Sequence, residues 1–91
     1  MIADVTPLYE ACRSRKIVDL TSYTKKDGSD VTHTIGIFEI RTNEGKLWGW
    51  DVTLNDHIRA FIINDINSFE VLDQDFIPPE PWDIKIDGEV V

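Results

Sequence analysis

Several short segments of the chain alternate apolar with polar residues, which is the pattern of half-buried β-strands. The clearest alternation runs from Val31 to Ile37, and its phase reverses at Phe38. An extra residue in one strand produces such a reversal, so we expect a β-bulge near Gly36–Ile37. This segment therefore predicts one strand with a bulge inside it.

The densest apolar stretch lies further along the chain and divides into three runs. They are Leu47–Leu54, Ile58–Ile63 and Phe69–Leu72, and Phe76 follows the last of them. Residues that favour tight turns, mainly Asn, Asp and Gly, lie before and between the runs. Strands this short, with turns this close together, predict an antiparallel sheet.

A short helix is predicted before the strands, over residues 7–15. Thr6 and Pro7 form a suitable start, since threonine caps helices and proline is tolerated at the first helical position. Its apolar positions fall on one face at helical spacing, namely Leu8, Ala11 and Cys12. A helix this short is unstable alone, so we expect this face to pack against the strands.

Together these elements predict a single, mainly β domain over residues 1–91. The favoured architecture is a small SH3-like barrel of five antiparallel strands over residues 17–76, preceded by the helix. A half-open five-stranded oligonucleotide-binding barrel is the alternative. Residues 77–91 hold three of the four prolines together with Trp82. They predict an extended tail, because proline cannot pair within a central strand.

The negative charge lies entirely in the second half of the chain. Residues 1–46 hold seven bases and seven acids, whereas residues 47–91 hold two bases and ten acids, which gives the net charge of −8. An acidic surface repels phosphate groups, so the composition disfavours general nucleic-acid binding.

Other features of the sequence predict a cytoplasmic protein that does not enter a membrane. No apolar run is long enough to span a bilayer, and the start lacks the basic and apolar segments of a signal peptide. The single cysteine, Cys12, gives no disulfide framework. The two histidines, His33 and His57, have no carboxylate or cysteine at metal-ligand spacing, so no metal or other cofactor is expected.

Two motifs in the dense apolar stretch have residue spacings that resemble those of a known protein family. Leu47–Asp51 combines a leucine, a glycine, an aromatic residue and an aspartate. The second motif follows the pattern R-x-F-x-I-x-x-I and consists of Arg59, Phe61, Ile63 and Ile66. With the Asp27-Gly28 turn before them, residues 8–78 resemble the WYL domain. This family is an SH3-like module of bacterial transcription regulators and phage-defence accessory proteins. The resemblance implies a stand-alone, regulatory binding module without catalytic activity.

The resemblance also implies which residues face a ligand. Basic residues mark the binding face of the family. Arg59 is retained here, whereas His33 and Asp65 stand where arginines are expected. These substitutions argue against an anionic ligand at that face. The expected ligand-binding residues are Arg59, His33, Tyr23, Trp50 and Asp65.

Arg59 also has a purely structural interpretation. An arginine within an apolar strand either reaches the surface, holds an anion or pairs with a nearby acid. The acids within reach along the sequence are Asp65, Asp51 and Asp56. Pairing with Asp65 would close the ligand site, so this pair is the relation on which the functional interpretation depends.

The tryptophans and acids of the second half of the chain predict contacts with a partner. Trp48 and Trp50 share one strand face, where they could stack on bases, pack in the core or contact a protein. The expected partner-binding residues are Trp48, Trp82, Asp73 and Asp75. Another protein or a homodimer is favoured over nucleic acid. A nucleotide or single strand bound through Arg59 is the alternative.

Two further functions remain as alternatives. The acids could mimic phosphates, in which case the chain is an acidic phage or mobile-element protein that blocks a basic surface on a host protein. The residue types of a Ser-His-Asp catalytic triad are present, with Ser22 or Ser68 as the nucleophile. No nucleophile turn or oxyanion glycine accompanies it, so no enzyme activity is expected and no catalytic residue is assigned.

Overall fold

The structure is a computed structural model and describes residues 4–52, 57–78 and 83–91. Within these residues, one α-helix precedes seven strands. Their bounds are α1 (Thr6–Ser14), β1 (Lys16–Thr24), β2 (Asp30–Arg41), β3 (Lys46–Asp51), β4 (His57–Ile62), β5 (Ile66–Asp75), β6 (Lys85–Ile86) and β7 (Glu89–Val90). Two short 3₁₀ turns, Thr42–Glu44 and Ile63–Asp65, precede β3 and β5. The predicted helix is therefore present, one residue earlier than expected.

The five long strands are antiparallel neighbours in the order β4-β3-β2-β1-β5. The sheet curls into a half-barrel whose two ends are β4 and β5, although these strands follow one another in the chain. Fifteen buried apolar side chains, from Leu8 to Ile86, form one core. The predicted mainly β fold with one short helix is confirmed.

The end of the chain differs from the expected extended tail. β6 pairs in parallel with β2, and β7 pairs with β6, so the described sheet is mixed and has seven strands. Ile84 and Ile86 are buried, and this anchors the hairpin on the core. Gly88 supplies the positive φ that its turn requires. The tail is therefore part of the fold from Asp83 onward, while Trp82 lies outside the described residues.

α1 packs against β1, β2 and β5 through the three apolar positions that its spacing predicts. The helix ends at Arg15, which has a left-handed backbone conformation. The Arg15 carbonyl then accepts a 2.6 Å hydrogen bond from the Phe76 backbone N–H, which ties the helix end to the residue after β5. Among the described residues, no helix has the length and hydropathy that a membrane span needs.

β2 contains the bulge that its reversed alternation predicts. The register against β3 shifts between Ile37 and Glu39, which makes Phe38 the extra residue. Just before the bulge, Gly36 lies under the ring of Phe76, and a Cβ at this position would overlap that ring. The absence of a side chain at Gly36 lets the end of β5 close over β2.

β1 has the least regular alternation because its pairing is irregular on both sides. Its register shifts against β2 between Leu20 and Tyr23, and it shifts three times against β5. Each shift changes which side chains point into the half-barrel. As a result Tyr23, three residues after the buried Leu20, packs against the core.

Candidate functional site

A buried carboxylate lies inside the half-barrel at the end of β3. The alternation of β3 directs Leu47, Gly49 and Asp51 inward, and Asp51 is only 3% exposed. Its Oδ2 lies 3.3 Å from Nδ1 of His33 and 3.5 Å from Nε of Arg59. Three neighbouring strands, β2, β3 and β4, therefore bring one acid and two nitrogen-bearing side chains together.

This geometry answers the sequence-based question about Arg59. Among the described residues, the structure pairs Arg59 with Asp51. Asp65 lies instead at the end of the 3₁₀ turn before β5, and Asp56 lies outside the described residues. The Arg59 side chain is partly exposed, but the carboxylate beside its buried Nε balances its charge. Arg59 therefore offers less positive charge to a ligand than its sequence position suggests.

Three rings connect this buried cluster to the surface. Tyr23, His33 and Phe61 contact one another edge to face, and the centroid of Phe61 lies 5.1 Å from each of the other two. The Tyr23 hydroxyl oxygen accepts a 2.9 Å hydrogen bond from the Ile62 backbone N–H. Tyr23 thus joins β1 to the end of β4, and its own hydroxyl hydrogen can donate to a ligand.

A cavity of about 540 Å³ opens beside Tyr23, between the β1–β2 turn and the end of β4. A second depression of about 360 Å³ lies beside α1. The cavity at Tyr23 is in the size range of small-molecule sites. Its lining residues are Tyr23, Thr24, Lys25, Lys26, Asp27, Lys46, Ala60, Phe61, Ile62 and Asp65.

Three lysines line this cavity, and the sequence-based site did not include them. Lys25 and Lys26 begin the β1–β2 turn, and Lys46 begins β3. None of the three forms a salt bridge to a described residue. By contrast, Arg13, Lys16 and Arg41 each pair with an acid.

Two acids, Asp27 and Asp65, also line the cavity. Asp27 accepts hydrogen bonds from the hydroxyl and the backbone N–H of Ser29, and these bonds hold the pKa of Asp27 below its usual value. Its carboxylate therefore stabilises the turn that presents Lys25 and Lys26. Asp65 also lines the cavity and contributes a negative charge there.

The predicted ligand-binding residues divide into three places. Tyr23, His33 and Arg59 lie around the buried cluster, and Tyr23 also lines the cavity together with Asp65. Trp50 follows Gly49 and precedes Asp51 on β3, so it lies on the opposite face of the sheet. The structure does not bring Trp50 together with the other four residues.

The predicted partner-binding residues lie on other surfaces. Trp48 shares the outer face of β3 with Trp50, and the guanidinium of Arg41 stacks 4.6 Å from the centroid of its ring. Asp73 and Asp75 lie exposed on β5, where Lys16 approaches them at 3.7 and 2.7 Å. Trp82 lies outside the described residues.

The serines considered for a Ser-His-Asp set have other partners. The Ser22 hydroxyl oxygen accepts a hydrogen bond from the Asn67 amide, and the Ser68 hydroxyl bonds to the Thr21 hydroxyl. Within the described residues, no group of three or more His, Cys, Asp and Glu side chains is arranged to hold a metal ion.

Comparison with known proteins found no matching family model, no similar curated protein and no similar solved structure. The resemblance to the WYL domain therefore rests on the motifs of this chain alone.

Proposed function

We infer that the chain is a non-catalytic, WYL-like binding module of SH3-like type that works in the cytoplasm as a regulator. The observation that carries this proposal is the cavity of about 540 Å³ at the end of the half-barrel. Two of the residues expected from the family resemblance, Tyr23 and Asp65, line this cavity, and Tyr23 connects it to His33 through their ring contact.

The interior of this cavity suits a ligand with an apolar body. Phe61 is 2% exposed and belongs to the core, and its neighbours on β4, Ala60 and Ile62, also line the cavity. A largely apolar wall with a few polar groups at its rim is the usual composition of a small-molecule site. The buried cluster behind the wall holds Tyr23 and Phe61 in place through their contacts with His33.

Binding of an uncharged apolar dye tests this function. N-phenyl-1-naphthylamine fluoresces when it enters an apolar site, and we expect one dye to bind per chain. Ala60→Phe introduces a ring at the cavity and should reduce binding by about tenfold or more. Ile58→Phe is the matched control, because both positions lie on β4 opposite a tryptophan of β3 and Ile58 does not line the cavity. Equal binding by both variants would disprove the proposed site.

One specific observation favours the alternative of an acidic protein that blocks a basic partner. The side chain of Asp73 is fully exposed, and it lies 3.7 Å from Lys16, whereas Asp75 accepts a 2.7 Å hydrogen bond from the same lysine. Asp73 is thus the more available of the two acids. On this alternative, Asp73→Lys should weaken binding to poly-L-lysine more than Asp75→Lys does, and more than the control Glu89→Lys on β7. If all three changes weaken binding to poly-L-lysine equally, the overall net charge of the chain causes the binding and Asp73 has no special role.

A further inference from the structure

The cavity at Tyr23 has a local charge opposite in sign to the net charge of the chain. The chain has a net charge of −8, yet three lysines and two acids line this one opening. Three lysines against two acids leave one positive charge in excess at the cavity. The balance at the cavity is therefore positive, in a protein whose overall field is negative.

Backbone hydrogen bonds stabilise the turn that carries Lys25 and Lys26. The Lys25 backbone forms two hydrogen bonds within its turn, a 2.8 Å bond from its N–H to the Ser29 carbonyl and a 2.9 Å bond to its carbonyl from the Gly28 N–H. Gly28 has the positive φ that such a turn requires. Lys46 begins β3, is paired in register with Ile62 of β4, and lines the same cavity. The β1–β2 turn and the start of β3 thus both bring lysines to this one opening.

We propose that this cavity binds a small organic monoanion, a compound with a flat apolar body and one carboxylate, sulfonate or phosphodiester group. The apolar body contacts Phe61, Ala60 and Ile62, and the acid group lies among Lys25, Lys26 and Lys46. The inference rests on the proposed function, because it names the ligand class of the same site. Arg59 has no direct role in this recognition, since Asp51 already balances its charge.

The charge distribution decides between a monoanion and a polyanion. A nucleic-acid strand would extend beyond the cavity, over a protein surface with a net charge of −8, and would be repelled there. The Asp65 carboxylate at the same cavity disfavours a second negative charge on the ligand. An inorganic anion would leave the apolar wall unused. A single acid group on an apolar ring system satisfies all three constraints.

The test compares two dyes that differ in one acid group. 8-Anilinonaphthalene-1-sulfonate carries a sulfonate, and N-phenyl-1-naphthylamine has the same ring systems without it. On the full chain at low salt, the sulfonate dye should bind more tightly than the neutral dye. Lys46→Gln, and separately the double variant Lys25→Gln/Lys26→Gln, should each lower sulfonate binding by about five- to tenfold. Both changes should leave binding of the neutral dye within about twofold.

Arg13→Gln on α1 is the matched control for Lys46→Gln, because each variant removes one positive charge and Arg13 lies away from the cavity. It should change sulfonate binding less than about twofold. Inorganic phosphate should compete weakly, since it lacks an apolar body. Far-UV circular dichroism and thermal melting of each variant separate a loss of binding from a loss of folding.

The outcomes separate the two proposals. If neither dye binds the folded protein, the proposed binding function is wrong. If the neutral dye binds and Ala60→Phe blocks it, the binding site is supported. If in addition the sulfonate dye binds no more tightly than the neutral dye, or the lysine variants behave like Arg13→Gln, the assignment of an anionic ligand is wrong.

Discussion

Arg59 Nε lies 3.5 Å from Oδ2 of Asp51, across the β3–β4 pair, and the same carboxylate oxygen lies 3.3 Å from Nδ1 of His33. Asp51 is buried, while the Arg59 side chain is 38% exposed. The acid is therefore the group that depends on the pair, because its charge is the one removed from water. Arg59 serves to balance a buried carboxylate of the half-barrel, which gives it a structural role.

A double-mutant cycle should show this dependence. Arg59→Met keeps the apolar stem and removes the charge, so we expect it to lower the free energy of unfolding by about 1–3 kcal/mol. Adding Asp51→Asn removes the charge that Arg59 had balanced, and the combined change should be smaller than the sum of the single changes by about 0.5 kcal/mol or more. Urea unfolding measures all four proteins.

The control for this cycle is the exposed pair Glu10 and Arg13, which lies one helical turn apart on α1 with 3.7 Å between charged atoms. Exposed pairs of this kind contribute about 0.5 kcal/mol or less. A coupling between Asp51 and Arg59 no larger than that of the control pair would show that the buried carboxylate does not depend on Arg59.

The strands could be predicted because their alternation survives in the sequence. β2 and β3 each show it clearly, and even the bulge at Phe38 appears as a change of phase. β1 was harder to interpret because its several register shifts erase the period of two. The β6–β7 hairpin could not be found, since two-residue strands carry no measurable period and their stability comes from contacts with β2 and the core.

The candidate site was predictable in part for a similar reason. Tyr23, His33 and Arg59 lie on strands with recognisable motifs, so they could be expected on one face. The cavity lysines Lys25 and Lys46 are separated by a whole strand and a turn in the sequence, and they lie in the half of the chain whose charges balance. Only the curl of the sheet brings them to one opening, and a linear count of charges carries no such information.

Gly36 and Phe76 provide a test of how the half-barrel closes. Because a Cβ on Gly36 would overlap the ring of Phe76, Gly36→Ala should lower the free energy of unfolding by about 1–3 kcal/mol. In a Phe76→Ala background the overlap is gone, so the same change should be close to neutral, within about 0.5 kcal/mol. Urea unfolding of the four proteins gives the comparison. An equal effect of Gly36→Ala in both backgrounds would mean that the ring does not cover this glycine.

Cys12 should make the stability of the protein depend on pH in alkaline solution. Burial raises the pKa of the Cys12 thiol from 9.0 to about 11, so the folded state favours the protonated thiol. This contribution is fully present below pH 9 and is lost as the pH rises towards about 11. The unfolding free energy of the wild type, relative to Cys12→Ala, should fall by roughly 2 kcal/mol over that interval.

Urea unfolding at several pH values measures this difference. Lysines and tyrosines also titrate in alkaline solution, but they do so equally in both proteins and therefore cancel in the comparison. The folded wild type should also react slowly with iodoacetamide at pH 8, because the thiol is both buried and protonated. Rapid alkylation without unfolding, or the same pH dependence in Cys12→Ala, would contradict the assignment.

Arg41 should control how much of Trp48 a partner can reach. The guanidinium lies over the Trp48 ring, and Glu39 and Glu44 fix it there at 2.7 and 3.2 Å. Stacking of this kind contributes about 0.5–1 kcal/mol at an exposed site, so the arrangement is stable but can be displaced. Removing the Arg41 side chain should expose one face of the ring while leaving the fold intact.

Acrylamide quenching measures this exposure in a Trp50→Phe/Trp82→Phe background, where Trp48 is the remaining tryptophan. We expect Arg41→Ala to raise the quenching constant, by about 1.5-fold or more if stacking covers one ring face. Arg13→Ala, which removes an arginine on α1, is the control and should leave the constant unchanged. If the two variants quench alike, Arg41 does not cover Trp48.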